Sequence, residues 1–330
     1  MTIKHLFLFS LVGVLAFSCH TGEKQPETNT NNQATQPQAN QKAAPRFNAD
    51  STYDYVQKQV DFGPRVPGTR AHEACAKYLE TKLRQFTPNV TVQTGDVKAY
   101  DGTILHIKNI IGMVHPEKPK RILLCAHWDS RPWADEDSVD KKKPIDAAND
   151  AGSGVAVMLE IARELQTTSP DVGVVILMVD AEDYGVSGNE DSYALGTQFW
   201  ANSLDKTKYL ADYGILLDMV GAPNAHFLEE YNSVQKAGNI VNKLWMQAQI
   251  SGTSNYFIMN QTGSITDDHI YINNLAQIPT VDIIDYDQSR PKGFGYYWHT
   301  HADNMKVIDK NTLRAVGQTL MDLIFNEKPA

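Results

Sequence analysis

Cysteine is scarce in this chain, with three among 330 residues, of which the first is Cys19. The spacing of Cys75 and Cys125 is not typical of a redox pair or of a cysteine-ligated metal. Cys75 shares a helical apolar face with Leu79 and Leu83, whereas Cys125 lies in an apolar run. We therefore predict that Cys75 and Cys125 are buried free thiols rather than partners in a disulfide.

Clusters of basic residues are also absent. Lysine and arginine together number 30 against 39 aspartates and glutamates, which gives a formal net charge of −9. Proteins that bind nucleic acid or an anionic membrane surface present concentrated positive charge. The composition therefore excludes nucleic acid as a partner, and much of the acidic excess is consistent with a solvated surface.

The apolar segment near the N terminus, Leu6–Phe17, is too short to span a bilayer and has the proportions of a signal peptide. Residues 15–18 (LAFS), which precede Cys19, resemble the lipobox of bacterial lipoproteins. That resemblance implies a lipoprotein signal peptide over residues 1–18 and lipid attachment to the Cys19 sulfur. We therefore expect an exported, periplasmic protein that contacts a membrane only through a lipid anchor. A signal peptide that happens to contain a cysteine is the alternative.

The rest of the chain divides into a polar tether and a long folded region. Residues 19–45, rich in Gln, Asn, Thr and Pro, bury little apolar surface and are predicted to be flexible. Residues 46–330 contain no second linker and no internal repeat. We therefore predict one catalytic domain over residues 46–330.

Apolar strand patterns alternate with amphipathic helix patterns along this region. The predicted strands are Val90–Val97, Leu105–Val114, Arg121–Ala126, Val174–Val179, Ile215–Met219 and Thr280–Ile284. The predicted helices are Ser51–Phe62, Ala71–Phe86, Val155–Gln166, Ala237–Gln249 and Lys310–Asn326. The turn signal Tyr100–Thr103 (YDGT) indicates an antiparallel hairpin between the first two strands. We predict an α/β fold: a three-layer α/β/α sandwich with a mixed, mostly parallel central sheet.

Acidic residues and histidines follow these buried strands closely. The apolar run Gly173–Val179 leads to the adjacent pair Glu182 and Asp183, and Asp218 follows another such run. His127 directly follows a third such run. Asp150 stands just before a predicted helix, Asp267 precedes the apolar stretch Ile278–Ile284, and His299 lies near the end of the chain. Ligands of parallel sheets bind beyond the carboxyl ends of the strands, and carboxylates with imidazoles suit zinc. Two adjacent carboxylates there allow one to hold a metal while the other moves protons.

The remaining histidines carry weaker signals. His72, His106 and His226 stand in no motif of this kind, and we expect ordinary surface or turn histidines.

Seven short motifs run through the chain from Phe62 to Asn304. They are Phe62–Arg65 (FGPR) with Pro67–Thr69 (PGT), His127–Ser130 (HWDS), Asn149–Asp150 (ND), Glu182–Asp183 (ED), Leu217–Pro223 (LDMVGAP), Asp267–Ile270 (DDHI), and Trp298–Thr300 (WHT) with Asp303–Asn304 (DN). In this order they resemble the motifs of the zinc-dependent glutaminyl cyclases, or glutaminyl-peptide cyclotransferases. The resemblance implies the fold of zinc aminopeptidases of the M28 type, which these cyclases share.

The resemblance also implies roles for individual residues. The implied ligands of one zinc ion per chain are Asp150, Asp183 and His299. Glu182 is implied as the proton shuttle, and Asp218 with Asp267 as an acidic hydrogen-bonded network behind the site. Trp298 is implied to pack against the glutamine side chain of the substrate. Two features depart from the animal cyclases: Asp183 replaces a second glutamate, and the loop Tyr184–Ser192 lacks a tryptophan.

The implied substrates are peptides or proteins with an N-terminal glutamine. Zinc would polarise the side-chain amide, and Glu182 would move a proton from the attacking α-amine to the departing ammonia, an acyl transfer that forms pyroglutamate. Ring closure needs no water, so we expect the site to be walled by aromatic rings. The predicted wall residues are Trp298, Tyr297, Trp133 and Tyr184.

Two alternatives remain open. In a two-zinc aminopeptidase of the same fold, Asp150 would bridge the metals, His127 and Asp218 would add ligands, and Glu182 would activate a water. The other alternative is a surface lipoprotein that binds zinc or peptides without catalysis. Glu182 and every implied ligand are present, which argues against a protein that binds without catalysis.

Overall fold

The structure, a computed structural model, describes residues 43–329 of the chain. The predicted signal peptide, the predicted lipid attachment at Cys19 and most of the predicted tether therefore lie outside the described residues. The domain boundary at residue 46 stays a prediction. Within the described range, no helix combines the length and the hydropathy needed to cross a bilayer.

The central sheet has six strands, in the order β1-β2-β4-β3-β5-β8. The eight strands of the described residues are β1 (Val90–Lys98), β2 (Ile104–Val114), β3 (Arg121–His127), β4 (Gly173–Val179), β5 (Tyr213–Leu217), β6 (Phe227–Glu229), β7 (Phe257–Gln261) and β8 (Thr280–Ile283). Strands β4, β3, β5 and β8 are parallel, while β2 pairs antiparallel with both β1 and β4. The predicted hairpin and the mixed, mostly parallel sheet are therefore confirmed. Strands β6 and β7 form a separate parallel pair.

Helices cover both faces of this sheet. They are α1 (Ala49–Val60), α2 (Arg70–Phe86), α3 (Gly152–Leu165), α4 (Leu195–Asn202), α5 (Lys206–Tyr209), α6 (Tyr231–Ile250), α7 (Asp268–Tyr271) and α8 (Lys310–Asn326). Helices α1, α2, α3, α6 and α8 contribute to the larger apolar core on one face. Helices α4 and α5 and the helical turn Ile272–Ala276 cover the other face. This arrangement confirms the predicted three layers.

Strand β4 shows why a strand that is buried on both faces can be recognised in the sequence. All seven of its residues are buried, because successive side chains point to opposite faces and each face has its own core. Ile176 and Met178 pack into the larger core, while Val175 and Leu177 pack into the smaller one. A strand buried on both faces therefore appears as a continuous apolar run.

Some predicted boundaries were wrong for identifiable reasons. Helix α6 begins at Tyr231, six residues before the predicted start, because the Glu230 carboxylate accepts hydrogen bonds from the N–H groups of Asn232 and Ser233. The predicted start, Ala237, lies at a kink inside the helix, with φ −142°. Strand β5 ends at Leu217, so Asp218 lies just beyond the sheet.

The two cysteines of the described residues are buried and free, as predicted. Burial raises the pKa of the Cys75 thiol to about 12, so this thiol is not reactive at neutral pH.

The prediction for His72 was wrong. His106 and His226 are exposed, but His72 is fully buried and stacks on Trp128, with ring centroids 4.4 Å apart. Its Nε2 atom lies 2.9 Å from both carboxylate oxygens of Asp180, the residue that follows β4. His72 therefore anchors the end of the strand that leads to Glu182 and Asp183.

Candidate active site

The predicted site residues converge at the carboxyl ends of the parallel strands. His127 is the last residue of β3, and Asp218 directly follows β5. Glu182 and Asp183 lie in the turn after β4. In the sheet, β3 lies between β4 and β5. The sheet therefore brings together residues that are far apart in sequence.

Asp150 lies between two histidines. Its Oδ1 atom is 2.9 Å from Nε2 of His127, and its Oδ2 atom is 3.9 Å from Nε2 of His299. His299 Nε2 also lies 3.3 Å from Oδ1 of Asp183. All four side chains are at least nine-tenths buried. The implied ligands Asp150, Asp183 and His299 thus form one compact group.

Two groups of candidate metal ligands share Asp150. In each group the ligand atoms lie within 4.8 Å of one another: Asp150, Asp183 and His299 in the first, and His127, Asp150 and Asp218 in the second. Oδ2 of Asp183 and Oδ1 of Asp218 are buried and have no hydrogen-bond partner among the described residues. Buried carboxylate oxygens normally have a partner, so these atoms fit a metal ion held by carboxylate and imidazole.

Backbone contacts fix the turn that carries Glu182 and Asp183. The carboxylate of Asp129 accepts hydrogen bonds from the N–H groups of Glu182, at 3.0 Å, and of Asp183, at 3.3 Å. Asp303 does the same for Asp150, whose N–H donates to Oδ2 at 3.1 Å. Buried carboxylates thus orient the backbone directly behind the candidate ligands.

Three residues at or beside this site have left-handed backbone conformations. Ala181 precedes Glu182 with φ 51°, Met219 follows Asp218 with φ 51°, and His299 itself has φ 53°. None is glycine, so each conformation is unfavourable in isolation and is maintained by the surrounding fold. Such strain is concentrated at functional sites, which agrees with the placement of the candidate ligands.

Glu182 is a buried carboxyl group next to other acids. Burial raises its pKa well above the usual range, and the charges of Asp267 and Asp183 raise it further, although His127 opposes this. A carboxyl group with a raised pKa is a stronger base than an ordinary carboxylate and can return the proton it accepts. Glu182 therefore has the electrostatic environment of a proton shuttle.

A group of buried acids lies behind Glu182. Burial raises the pKa of Asp218 and of Asp267 to about 7, with further contributions from Asp150 and Asp218 respectively. Burial and Asp267 raise the pKa of Asp268 to about 8. Asp218, Asp267 and Asp268 thus lie close enough for their charges to affect one another's ionisation, while the hydrogen bonds implied between Asp218 and Asp267 stay a prediction.

A cavity of about 480 Å³ opens onto the site. Its aromatic wall includes Tyr193, Tyr286, Phe294 and Trp298. Trp298 stacks on Phe294 and on His299, with centroids 4.4 and 3.9 Å apart, so the ring next to the candidate ligands is held rigidly. The prediction that Trp298 lines the site is therefore supported by its position.

The other three predicted wall residues do not line this cavity. Tyr297 is buried and directs its hydroxyl toward Asp285. Trp133 contacts Tyr184 edge to face, and Tyr100 packs against Trp133 in a second edge-to-face contact. Tyr193, Tyr286 and Phe294 were not predicted as wall residues, because no motif connects them to the candidate ligands before the chain folds.

Comparison with known proteins agrees with this geometry. The model of peptidase family M28 matches residues 109–324. Glutaminyl-peptide cyclotransferase from Dictyostelium discoideum is 26% identical over 310 residues, which cover 80% of this chain and 82% of that protein.

Two solved structures are closer in sequence. Glutaminyl cyclase from Bacteroides thetaiotaomicron, bound to N-acetylhistamine, is 49% identical, with a TM-score of 0.84 and coverage of 87% of this chain and 100% of that one. A Zn-dependent exopeptidase from Parabacteroides distasonis is also 49% identical, with a TM-score of 0.84 and coverage of 86% and 100%. The chain therefore belongs to peptidase family M28, and its relatives in that family include bacterial glutaminyl cyclases.

Proposed function

We propose that this protein is a zinc-dependent glutaminyl-peptide cyclotransferase, which converts an N-terminal glutamine to pyroglutamate with release of ammonia. The observation that carries the proposal is the position of Glu182. It lines the same cavity as the ligand group Asp150, Asp183 and His299, and Trp298 forms an aromatic wall of that cavity. The similarity to glutaminyl cyclases over most of the chain supports the same activity.

Asp150, Asp183 and His299 would hold one zinc ion. Bound there, zinc would supply a Lewis acid that polarises the side-chain amide carbonyl of the substrate. The protein contributes the geometry, because Asp303 fixes the backbone at Asp150 and Asp129 fixes the backbone at Asp183. These contacts hold the ligands in place before the substrate arrives.

Glu182 is proposed to move the proton. The α-amine must lose a proton as it attacks the amide carbon, and the departing nitrogen must gain one to leave as ammonia. A carboxyl group with a raised pKa can take the first proton and deliver the second within one site. Asp267 acts behind it by disfavouring a permanent negative charge on Glu182, and Asp218 in turn raises the pKa of Asp267.

The aromatic wall is proposed to hold the glutamine side chain and to limit water. Cyclisation requires the amine and the carbonyl carbon of one residue to approach closely, which is an orientational demand. Water that entered instead would hydrolyse the amide. The stacked rings of Phe294 and Trp298 provide a flat apolar surface beside the ligands.

A two-zinc aminopeptidase is the second candidate, and one observation favours it. His127, Asp150 and Asp218 form a second ligand group that shares Asp150 with the first. In that case Glu182 would activate a water that attacks the first peptide bond. The motif Trp298–Thr300 (WHT), which places Trp298 beside the candidate ligand His299 and resembles the motif of the glutaminyl cyclases, favours the cyclase.

The deciding experiment incubates the zinc-loaded protein with a peptide that begins with glutamine. Ammonia release and product mass are followed together. Ammonia with an otherwise intact peptide, lighter by one ammonia, is the result expected of the cyclase. Free glutamine with a shortened peptide would establish the aminopeptidase, and the absence of both products would support a non-catalytic binding protein.

We also propose that the protein is a periplasmic lipoprotein anchored through Cys19 and that it modifies exported proteins whose N-terminal residue is glutamine. The support is the lipobox-like segment before Cys19 in the sequence. Fractionation of cells that express the full chain should place it in the membrane fraction. Cys19→Ser should release it, and a variant that stays in the membrane would refute the lipid anchor.

A further inference from the structure

Arg131 is an almost fully buried cation between two of the candidate zinc ligands. It follows β3 by four residues and is 1% exposed. The sequence analysis assigned it no role, and the roles of Asp150, Asp183, His299 and Glu182 do not include it. Burying a guanidinium is unfavourable unless its donors are satisfied, so its contacts indicate what it stabilises.

One side of the guanidinium holds Asp183 and its turn. Nη1 donates to Oδ1 of Asp183 at 2.9 Å and to the backbone carbonyl of Asp183 at 3.1 Å. It also donates to the carbonyl of Gly185 at 3.4 Å. These bonds fix the rotation of the Asp183 carboxylate, whose Oδ2 atom is left without a hydrogen-bond partner among the described residues.

The other side of the guanidinium reaches His299 through Asp135. Nε and Nη2 of Arg131 donate to the two carboxylate oxygens of Asp135, at 2.8 and 2.7 Å. Oδ1 of Asp135 lies 3.5 Å from Nδ1 of His299. A carboxylate at Nδ1 favours a proton on that nitrogen, which leaves Nε2 to face Asp150 and Asp183.

Aromatic rings restrict the guanidinium further. Its central carbon lies 5.3 Å from the ring centroid of Trp133 and 5.9 Å from that of Tyr193. These distances permit cation–π attraction. The planar guanidinium group of arginine can make bidentate hydrogen bonds and stack on aromatic rings at the same time. The ammonium group of lysine cannot do both.

We propose that Arg131 and Asp135 form a positioning pair that sets Asp183 and His299 for metal binding, joining two ligands that come from different segments of the chain. The inference rests on the proposed role of these two residues as zinc ligands. Partners of this kind typically change metal affinity by about 10- to 100-fold. The pair acts through the ligands and touches neither the substrate nor the reacting atoms.

The test measures zinc affinity by competition with a chromophoric chelator, so that activity is not the readout. Asp135→Asn and Arg131→Lys are each expected to weaken zinc binding by about 10- to 100-fold. The double variant should lose little more than the worse single variant, because the two residues act as one unit. Asp140→Asn is the matched control: it removes the same charge from the same loop, where Asp140 pairs with Lys143.

A second readout separates positioning from general stability. The cobalt-loaded variants should show shifted visible absorption bands, which report the arrangement of ligands around the metal. If Arg131→Lys does not fold, Asp135→Asn carries the test, because the Asp135 side chain is 40% exposed. Zinc affinities of both variants within twofold of the wild type would overturn the inference. A wild-type protein that binds no zinc would instead contradict the proposed cofactor.

Discussion

Asp150 directly contacts His127, through Oδ1 and Nε2 atoms that lie 2.9 Å apart. The two candidate functions give His127 different roles in this contact. With one zinc, His127 donates a hydrogen bond that orients Asp150, whereas with two zincs His127 is itself a ligand.

His127→Gln tests the number of metal ions. We expect one zinc per chain in the wild type and still one in His127→Gln, because glutamine retains a donor toward Asp150. His299→Gln, the matched control, should lose zinc. Metal content is measured by plasma mass spectrometry after dialysis, and a fall from two zincs to one in His127→Gln would establish the dinuclear site.

Glu182→Gln removes the proposed proton shuttle and replaces it with a side chain of nearly the same shape. The turnover number should fall by about 10²- to 10⁴-fold, the usual contribution of a positioned acid–base group. Zinc content should not change, since Glu182 belongs to neither ligand group that contains Asp150. Steady-state kinetics at saturating zinc measure the effect. Activity close to wild type would exclude Glu182 as the shuttle.

The stability of the metal-free protein should fall as the pH rises from ~5 to ~8. The pKa values of Asp218 and Asp267 rise from 3.8 in the unfolded chain to about 7 in the fold, so folding these groups becomes less favourable as they ionise. Burial alone would lower the pKa of His299, but Asp183 and Asp135 outweigh burial and raise it from 6.5 to about 9. The positive charge of His299 therefore stabilises the fold until the pH rises above the range in which the two aspartates ionise.

Zinc should reverse this trend, because ionised carboxylates and a neutral imidazole are the forms that bind metal. The midpoint of thermal unfolding, followed by circular dichroism with chelator and with zinc, gives both curves. A gap between the curves that widens with pH is expected. A metal-free midpoint that rises over this pH range would contradict the raised pKa values of the two aspartates.

Trp298→Leu should raise KM for a glutamine peptide. Loss of the stacking surface removes about 0.5–1.5 kcal/mol, equivalent to a ~2- to 10-fold change. Tyr296→Leu is the control, because Tyr296 lies two residues away, is 77% exposed and does not line the cavity of the site. Equal KM values for the two variants would remove Trp298 from the substrate wall.

Gly154→Ala should destabilise the fold by about 1–3 kcal/mol. A Cβ atom at this position in α3 would lie 2.1 Å from the backbone oxygen of Leu217, the residue before Asp218. Gly238→Ala in α6 is the control, because a Cβ atom added there would have no neighbouring atom within 4 Å among the described residues. Urea denaturation measures both, and equal midpoints would show that α3 moves away from β5 without cost.

Residues whose position depends on a local pattern could be predicted from the sequence. Strand β4 is apolar because both of its faces are covered, and the acids that follow it therefore lie at the sheet edge. The carboxyl ends of parallel strands lie at the same edge of the sheet. The predicted parallel arrangement therefore placed Asp183 and Asp218 close together at that edge. Asp150, in the loop before α3, and His299, in the loop after β8, were assigned as zinc ligands only through the resemblance of their motifs.

Residues that act through tertiary contacts could not be predicted in this way. His72 lies at the start of α2 and resembles an ordinary helix residue until the fold brings Asp180 against it. Arg131 has no signal of its own, because its partners are distributed between its own loop and the turn after β4. Tyr193 and Phe294 likewise reach the cavity only after two loops have packed.

The candidate ligands Asp150, Asp183 and His299 belong to three segments that meet only after the sheet has assembled. The unfolded chain therefore offers zinc no comparable site, so zinc bound at these residues would stabilise the native state almost exclusively. A chain that folds where zinc is scarce would reach the same architecture but open more often, exposing itself to proteases. With zinc as the proposed cofactor, metal supply would then govern how long each molecule survives as well as whether it is active.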